Sequence, residues 1–268
     1  MTVADTTHER RRRSFDAIAE RYLAHRPPYP AAAFDLVAQK VPPPADVLEV
    51  GPGPGLATIP MAARGYRIVA IELGERLAAE ARRNLAGYPQ VQIVTGSFEA
   101  WQPRRAHAFD LLLAASAWHW IDPEVGYERA WQALRQGGWL ALMANHPRPG
   151  RIGSRSRGFW AATDAIYRRH APDLVRRRGW NPSRLPDQAA AIRRSGRFDA
   201  AERHVIAWRH IFDADAYVAL LDTYSDHRTL PARRRQRLFD AIRRLAVDEF
   251  GGHVPRYYRT VIYLARSR

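Results

Sequence analysis

The stretch Asp46-Val-Leu-Glu-Val-Gly-Pro-Gly-Pro-Gly55 decides the fold. Val47, Leu48 and Val50 make a short apolar run suited to a strand buried on both faces. Gly51, Gly53 and Gly55 follow at once, and bare backbone there lets a ligand approach closely. Leu56 to Arg64 reads as a helix leaving that turn. Strand, glycine turn and helix form the nucleotide-binding half of a doubly wound α/β fold. The dinucleotide fingerprint G-x-G-x-x-G is not met, because position 56 is leucine. Arg67-Ile-Val-Ala-Ile-Glu72 is a second buried strand, and its terminal acid is placed to accept the hydroxyls of a ribose.

With Glu49 two residues before Gly51 and Glu72 closing the second strand, the chain resembles the class I S-adenosylmethionine (SAM)-dependent methyltransferases. In that family the first strand ends in E/D-x-G-x-G-x-G and the second in an acidic residue. The resemblance implies a doubly wound, seven-stranded, mostly parallel sheet, Rossmann-like, with helical lid insertions. It implies SAM as cofactor and S-adenosylhomocysteine as product, with contacts from Glu49, Gly51, Gly53, Glu72 and the adjoining Leu73. For the glycines alone, a tight turn in another α/β protein is the plain alternative.

Two further segments narrow the resemblance. Tyr22-Leu-Ala-His-Arg-Pro-Pro-Tyr-Pro30 is similar to the Y-x-x-x-R-P-x-Y-P entry segment of one methyltransferase subfamily, which includes enzymes acting on small carboxylic acids. There the tyrosine and arginine lie over the methionine end of the cofactor. Tyr22 and Arg26 take those places here, and a guanidinium can hold a carboxylate with two parallel donors. The alternative is a surface helix ended by Pro27 and Pro28. The second segment is Ala117-Trp-His-Trp-Ile-Asp-Pro123, which resembles A-W-H-W-x-D-P of the same subfamily. It follows Phe109–Ala115, a fourth strand, so Ala115, Ser116 and His119 fall beyond a strand's carboxyl end, where open parallel sheets bind ligands. The third strand, Val91–Thr95, leads to Ser97 and Phe98. In the wider family an aspartate often occupies the position of Ser97 and binds the adenine amino group. Serine leaves that contact to its hydroxyl and to the Phe98 backbone, or Phe98 is simply core.

The remaining chain is expected in four parts. Residues 1–30 form a polar tail and a cap helix from Ser14 to about Ala24; 31–146 form the SAM-binding core; 147–201 form a helical lid insertion. Residues 202–268 complete the sheet around a second helical insertion at 213–255. Helices are read at Ala31–Lys40, Glu75–Gly87, Tyr127–Arg135, Asp213–Leu221 and Pro231–Phe250. Strands five, six and seven are read at Trp139–Ala144, Glu202–Phe212 and Arg259–Ala265, the last inserted antiparallel between five and six if the resemblance holds.

With 268 residues, 46% of them hydrophobic, the chain can bury a large core. It has no cysteine, which excludes disulfides, thiolate nucleophiles and thiolate metal sites. The net charge is +15, yet Lys40 is the only lysine. That skew toward arginine fits a GC-rich coding bias, and the clusters Arg10–Arg13, Arg176–Arg178 and Arg233–Arg235 are scattered. Solvated helix faces are the plain reading, and a polyanion-binding face is the other. No apolar run approaches the ~20 residues that span a bilayer. Arg12-Arg13-Ser14-Phe15 is similar to a twin-arginine signal, but Asp16, Glu20 and Arg21 follow where an apolar region should stand, so a cytoplasmic protein is expected.

Methyl transfer from a sulfonium needs alignment, exclusion of water and, for a hydroxyl or ammonium nucleophile, a proton acceptor. His119 is the candidate catalytic base; a core histidine or a group that only orients substrate are its alternatives. His146, Tyr224 and His227 are weaker candidates. No metal is expected. Ala114-Ala-Ser-Ala117 stands where amino methyltransferases of nucleobases carry D/N-P-P-Y/F/W. The favoured function is methylation of an O, N or C nucleophile on a small organic molecule, such as a bacterial secondary metabolite or an organic acid, by a monomer or homodimer. One alternative is an RNA or protein methyltransferase that exploits the basic charge. Another is a SAM-binding protein that transfers no methyl group.

Overall fold

Strand β1 (Asp46–Val50) is the third strand of a seven-stranded sheet of order β3-β2-β1-β4-β5-β7-β6. The computed structural model describes residues 23, 25–102, 106–148, 154–177 and 187–268. The expected helix from Ser14 lies almost wholly outside them, as does Tyr22.

Strands β2 (Arg67–Glu72), β3 (Val91–Thr95) and β4 (Phe109–Ala115) occur where the apolar runs place them. β1 pairs in parallel with β2 on one side and β4 on the other, so the direction of winding reverses there. β5 (Leu134–Arg148) is parallel to β4, and β7 (His253–Arg266) runs antiparallel between β5 and β6 (Glu202–Asp213).

Helices cover both faces. α1 (Ala31–Lys40) turns Ala33, Phe34 and Val37 inward at helical spacing, onto a core shared with α2 (Thr58–Ala62) and Tyr66. The helix expected over Leu56–Arg64 is thus only five residues long, because the glycine turn occupies the residues before it. α3 (Glu75–Asn84) packs Leu77, Ala78 and Ala81 inward on that side of the molecule. On the opposite face α4 (Pro123–Ala133) begins at Asp122, whose side chain accepts the Glu124 N–H, with proline at the first helical position.

The helices α5 (Arg155–His170), α6 (Pro172–Arg177) and α7 (Ala189–Arg194) lie between β5 and β6, and α8 (Ala214–Asp222), α9 (Ser225–Arg228) and α10 (Ala232–Phe250) between β6 and β7. A third core gathers Phe159, Tyr217, Leu238 and Ile242 with the outer end of β7. α10 ends at Gly251, whose φ of 60° is the left-handed conformation that closes a helix.

β5 and β7 are longer than their apolar runs. The last β4–β5 pair is Ala115 with Met143, but β5 continues through Ala144–Arg148, paired with Tyr257–Val261 of β7. The antiparallel end of the sheet therefore rises past the carboxyl ends of the parallel strands and forms a wall beside them.

Candidate active site

The cavity of the fold, about 530 Å³, opens at the carboxyl ends of β1, β2, β4 and β5, at the point where the winding reverses. Its floor is the turn after β1. Gly51 has φ 67°, and a Cβ there would stand 2.6 Å from the Cβ of Ala117 in the turn after β4. Only glycine lets these two turns meet. The Gly51 N–H donates to the Ile71 carbonyl at 2.9 Å and keeps the turn against β2.

Glu72 ends β2 beside that turn. One carboxylate oxygen accepts the Gly53 N–H and the other the Gly74 N–H, each at 2.9 Å. Leu73 follows it on the cavity wall, as do Gly53 and Phe98. Glu49 is different: it has no exposed surface and stands behind the wall rather than on it. Burial raises its pKa to about 8, partly offset by the nearby Thr58 hydroxyl and reinforced by the charge of Glu72. Neither Glu49 oxygen has a formed hydrogen bond, although Thr58 is close. Glu49 is thus mainly protonated at neutral pH. Ser97 also stands off the wall, its hydroxyl donating to Glu99 at 2.6 Å.

The far wall is built by the end of β4. Ala115 and Ser116 line it, and Ser116 holds φ 56°, a conformation costly for a residue with a side chain. Its N–H donates to Met143 at 2.7 Å, and its hydroxyl shares a 2.7 Å hydrogen bond with the Tyr29 hydroxyl. Arg26 lines the same cavity; its Nη2 donates to the Thr223 carbonyl at 3.0 Å and its guanidinium lies 4.9 Å from the Tyr224 ring centre. The entry segment is fastened from below. Trp208 Nε1 donates to Thr260 at 2.8 Å, Thr260 donates to Asn145 Oδ1 at 2.6 Å, and Asn145 Nδ2 donates to the Pro28 carbonyl at 3.0 Å.

His119 sits on a 3₁₀ turn, Trp118–Trp120, exposed toward the cavity, its ring centre 4.7 Å from that of Trp120. Trp118 beneath it is buried against Phe98 and Tyr127. His146 also lines the cavity, and burial lowers its pKa. His227 does not: it is buried, with Nε2 bonded to the Tyr167 hydroxyl at 2.7 Å and Nδ1 to Asp226 at 2.6 Å. Two residues escaped the reading of the sequence. Tyr29 carried a signal, as the second tyrosine of the R-P-x-Y-P stretch; Asn145 carried none.

Among the described residues no group of three or more His, Asp or Glu side chains is placed to hold a metal ion, and no helix is long and apolar enough to cross a membrane.

A family profile described as a methyltransferase domain matches residues 48–142, from β1 into β5. The chain is 29% identical over 236 residues to an uncharacterized methyltransferase of Mycobacterium tuberculosis, which spans 87% of this chain and 85% of that protein. A candidate type II methyltransferase of Anaeromyxobacter dehalogenans overlays 90% of this chain and 97% of its own, with a TM-score of 0.62 and 22% identity. The YcgJ protein of Bacillus subtilis overlays 88% and 98%, with a TM-score of 0.53 and 14% identity. At such identities the structures speak for the fold alone. Strand order, glycine turn and profile match together define a Rossmann-like methyltransferase. The protein is a SAM-dependent methyltransferase, with S-adenosylmethionine as its methyl donor.

Proposed function

We propose that the protein methylates a small organic molecule held in the 530 Å³ cavity between the glycine turn and the raised β5–β7 wall. The observation that carries this reading is the cavity itself: concave, mainly apolar, with a few polar groups converging on it, as small-molecule sites are. The cradle at Gly51, where a Cβ has no room, and the acid Glu72 beside it fit the cofactor. In this reading Gly51, Gly53, Leu73, Phe98, Ala115 and Ser116 bound the cofactor, Glu72 accepts its ribose hydroxyls, and Arg26 faces its methionine carboxylate. Glu49 supports the turn from behind. When bound there, S-adenosylmethionine would supply a sulfonium-activated methyl group for the acceptor's lone pair, with the thioether sulfur of S-adenosylhomocysteine as the leaving group.

The chain's own residues do the rest. The apolar walls exclude water, and the Tyr29–Ser116 pair holds the entry segment against β4. His119 takes the proton that an acceptor hydroxyl or ammonium gives up. Part of the basic charge is used within the fold, which favours this reading over a polyanion-binding face: on α10, Arg234, Arg235 and Arg243 are paired with Asp173, Asp222 and Asp215. The test is incubation with methyl-labelled SAM and separate low-mass, RNA and protein fractions of a bacterial extract. Label in the low-mass fraction supports the reading; label confined to RNA or protein overturns it.

A further inference from the structure

Beside the main cavity lies a smaller one, about 150 Å³, that shares Arg26, Tyr29, Ser116 and Asn145 with it and is completed by Tyr224 and Tyr258. No carboxylate lines it. Tyr258 is 1% exposed, and its hydroxyl has no formed hydrogen bond among the described residues, although the Arg256 guanidinium is close; its own proton is given to no acceptor. A buried phenol without a partner is unfavourable, and native structures rarely keep one without a reason.

Arg256 lies near that phenol. It is 6% exposed, stacked 4.1 Å over the Trp160 ring, and its Nη1 donates to the Tyr217 hydroxyl at 2.8 Å. Among the described residues its Nε is buried without a partner, as is the Trp160 indole N–H. The phenols of Tyr217, Tyr258, Tyr224 and Tyr167 surround it, and among the described residues no carboxylate pairs with it. A guanidinium stays protonated, so among the described residues a buried cation stands with no anion beside it. Arg26 stacks on Tyr224, adding a second positive group at the cavity. Arg256 does not line the side cavity but acts on Tyr258 and Tyr224, which do, so one cation behind the wall, one on it and an unused phenolic donor meet at a small space that no carboxylate lines.

We propose that this side cavity is an anchoring subsite for the methyl acceptor and that it takes an oxyanion, a carboxylate or a phosphate carried by the acceptor. The Tyr258 hydroxyl donates to that group and Arg256 supplies its counter-charge. The atom that is methylated then lies in the main cavity, toward His119. The inference rests on the small-molecule reading and adds to it the chemical class of the acceptor.

The test is calorimetric titration of wild type and Tyr258→Phe with benzoate, phenyl phosphate and the neutral benzamide, each with and without saturating S-adenosylhomocysteine. Phenylalanine keeps the ring and removes only the unpartnered hydroxyl, so the variant should fold, which a melting curve checks. Wild type should bind benzoate or phenyl phosphate at least tenfold more tightly than benzamide, and whichever anion binds better identifies the oxyanion. Tyr258→Phe should weaken that anion at least fivefold and S-adenosylhomocysteine less than twofold. Equal binding of benzamide, or anion affinity unchanged in Tyr258→Phe, overturns the proposal. So does competition between the anions and S-adenosylhomocysteine with a weaker cofactor in the variant, which assigns the cavity to the cofactor's own carboxylate. A wild type that binds the anions but no S-adenosylhomocysteine strikes the cofactor assignment instead.

Discussion

The Glu72 carboxylate holds the Gly53 N–H at 2.9 Å, so the acid of β2 and the glycine turn of β1 form one unit. Its other oxygen takes the Gly74 N–H. Glu72→Gln keeps the shape but turns an N–H donor toward one of these two amides, and one hydrogen bond must be lost. The amides of Gly53 and Gly74 should then exchange with solvent faster, by hydrogen-exchange mass spectrometry or NMR. Unchanged protection at both would mean that Glu72 does not organise the turn.

Glu49 makes stability depend on pH. In the native state its pKa is raised to about 8, against 4.5 as the ordinary value. Between those values the folded protein keeps a proton that the unfolded chain has released, so stability falls as pH rises through this window and levels off above it. The slope approaches about 1 kcal/mol per pH unit, or about 2–4 °C of melting temperature for a chain of this size. Glu49→Gln cannot ionise and should lose markedly less between pH 6 and 8. Parallel melting curves for the two proteins would refute the assignment.

Much of this was legible in the sequence, and the reasons are specific. β1, β2 and β4 are buried apolar runs, and such runs announce themselves; β3, at the edge of the sheet, is half-buried but keeps the β-branched residues Val91, Ile93, Val94 and Thr95. The Gly51 turn was legible because glycine is the residue that both a positive φ and the contact with Ala117 demand. β5 was read too short: Asn145-His-Pro-Arg148 has no strand pattern, and it is held by pairing with Tyr257–Thr260, more than a hundred residues away in sequence. For the same reason the sequence showed nothing of the Asn145–Thr260–Trp208 chain. Glu49 matched a motif, but which way a carboxylate turns from a strand buried on both faces depends on its neighbours. Ser97 was expected at the adenine; its side chain stands off the cavity wall and its hydroxyl donates to Glu99, a local contact that the sequence does not show.

Arg26 holds the Thr223 carbonyl and stacks on Tyr224, two contacts that use the planar fork of its guanidinium. Lysine cannot reproduce both. Arg26→Lys should weaken S-adenosylhomocysteine binding about tenfold, the scale of one charged hydrogen bond. Equal affinity in wild type and variant would remove Arg26 from the cofactor site.

His119 decides how the acceptor loses its proton. As a general base, its replacement in His119→Asn should lower kcat about 10²–10⁴-fold with cofactor affinity unchanged. The loss should shrink at high pH for an acceptor that ionises by itself. If alignment alone drives the reaction, the loss stays below about tenfold, near 1.4 kcal/mol. Single-turnover rates at neutral pH separate the two outcomes.

The central claim is that the cavity beside Gly51 and Glu72 is the cofactor site, and calorimetry with S-adenosylhomocysteine tests it most directly. Wild type should bind S-adenosylhomocysteine and not NAD. Glu72→Ala, shown to be folded, should bind it more weakly by about 1.5–3 kcal/mol, the value of a charged hydrogen-bond partner. Undiminished affinity in that variant, or equal binding of NAD by wild type, would contradict the account.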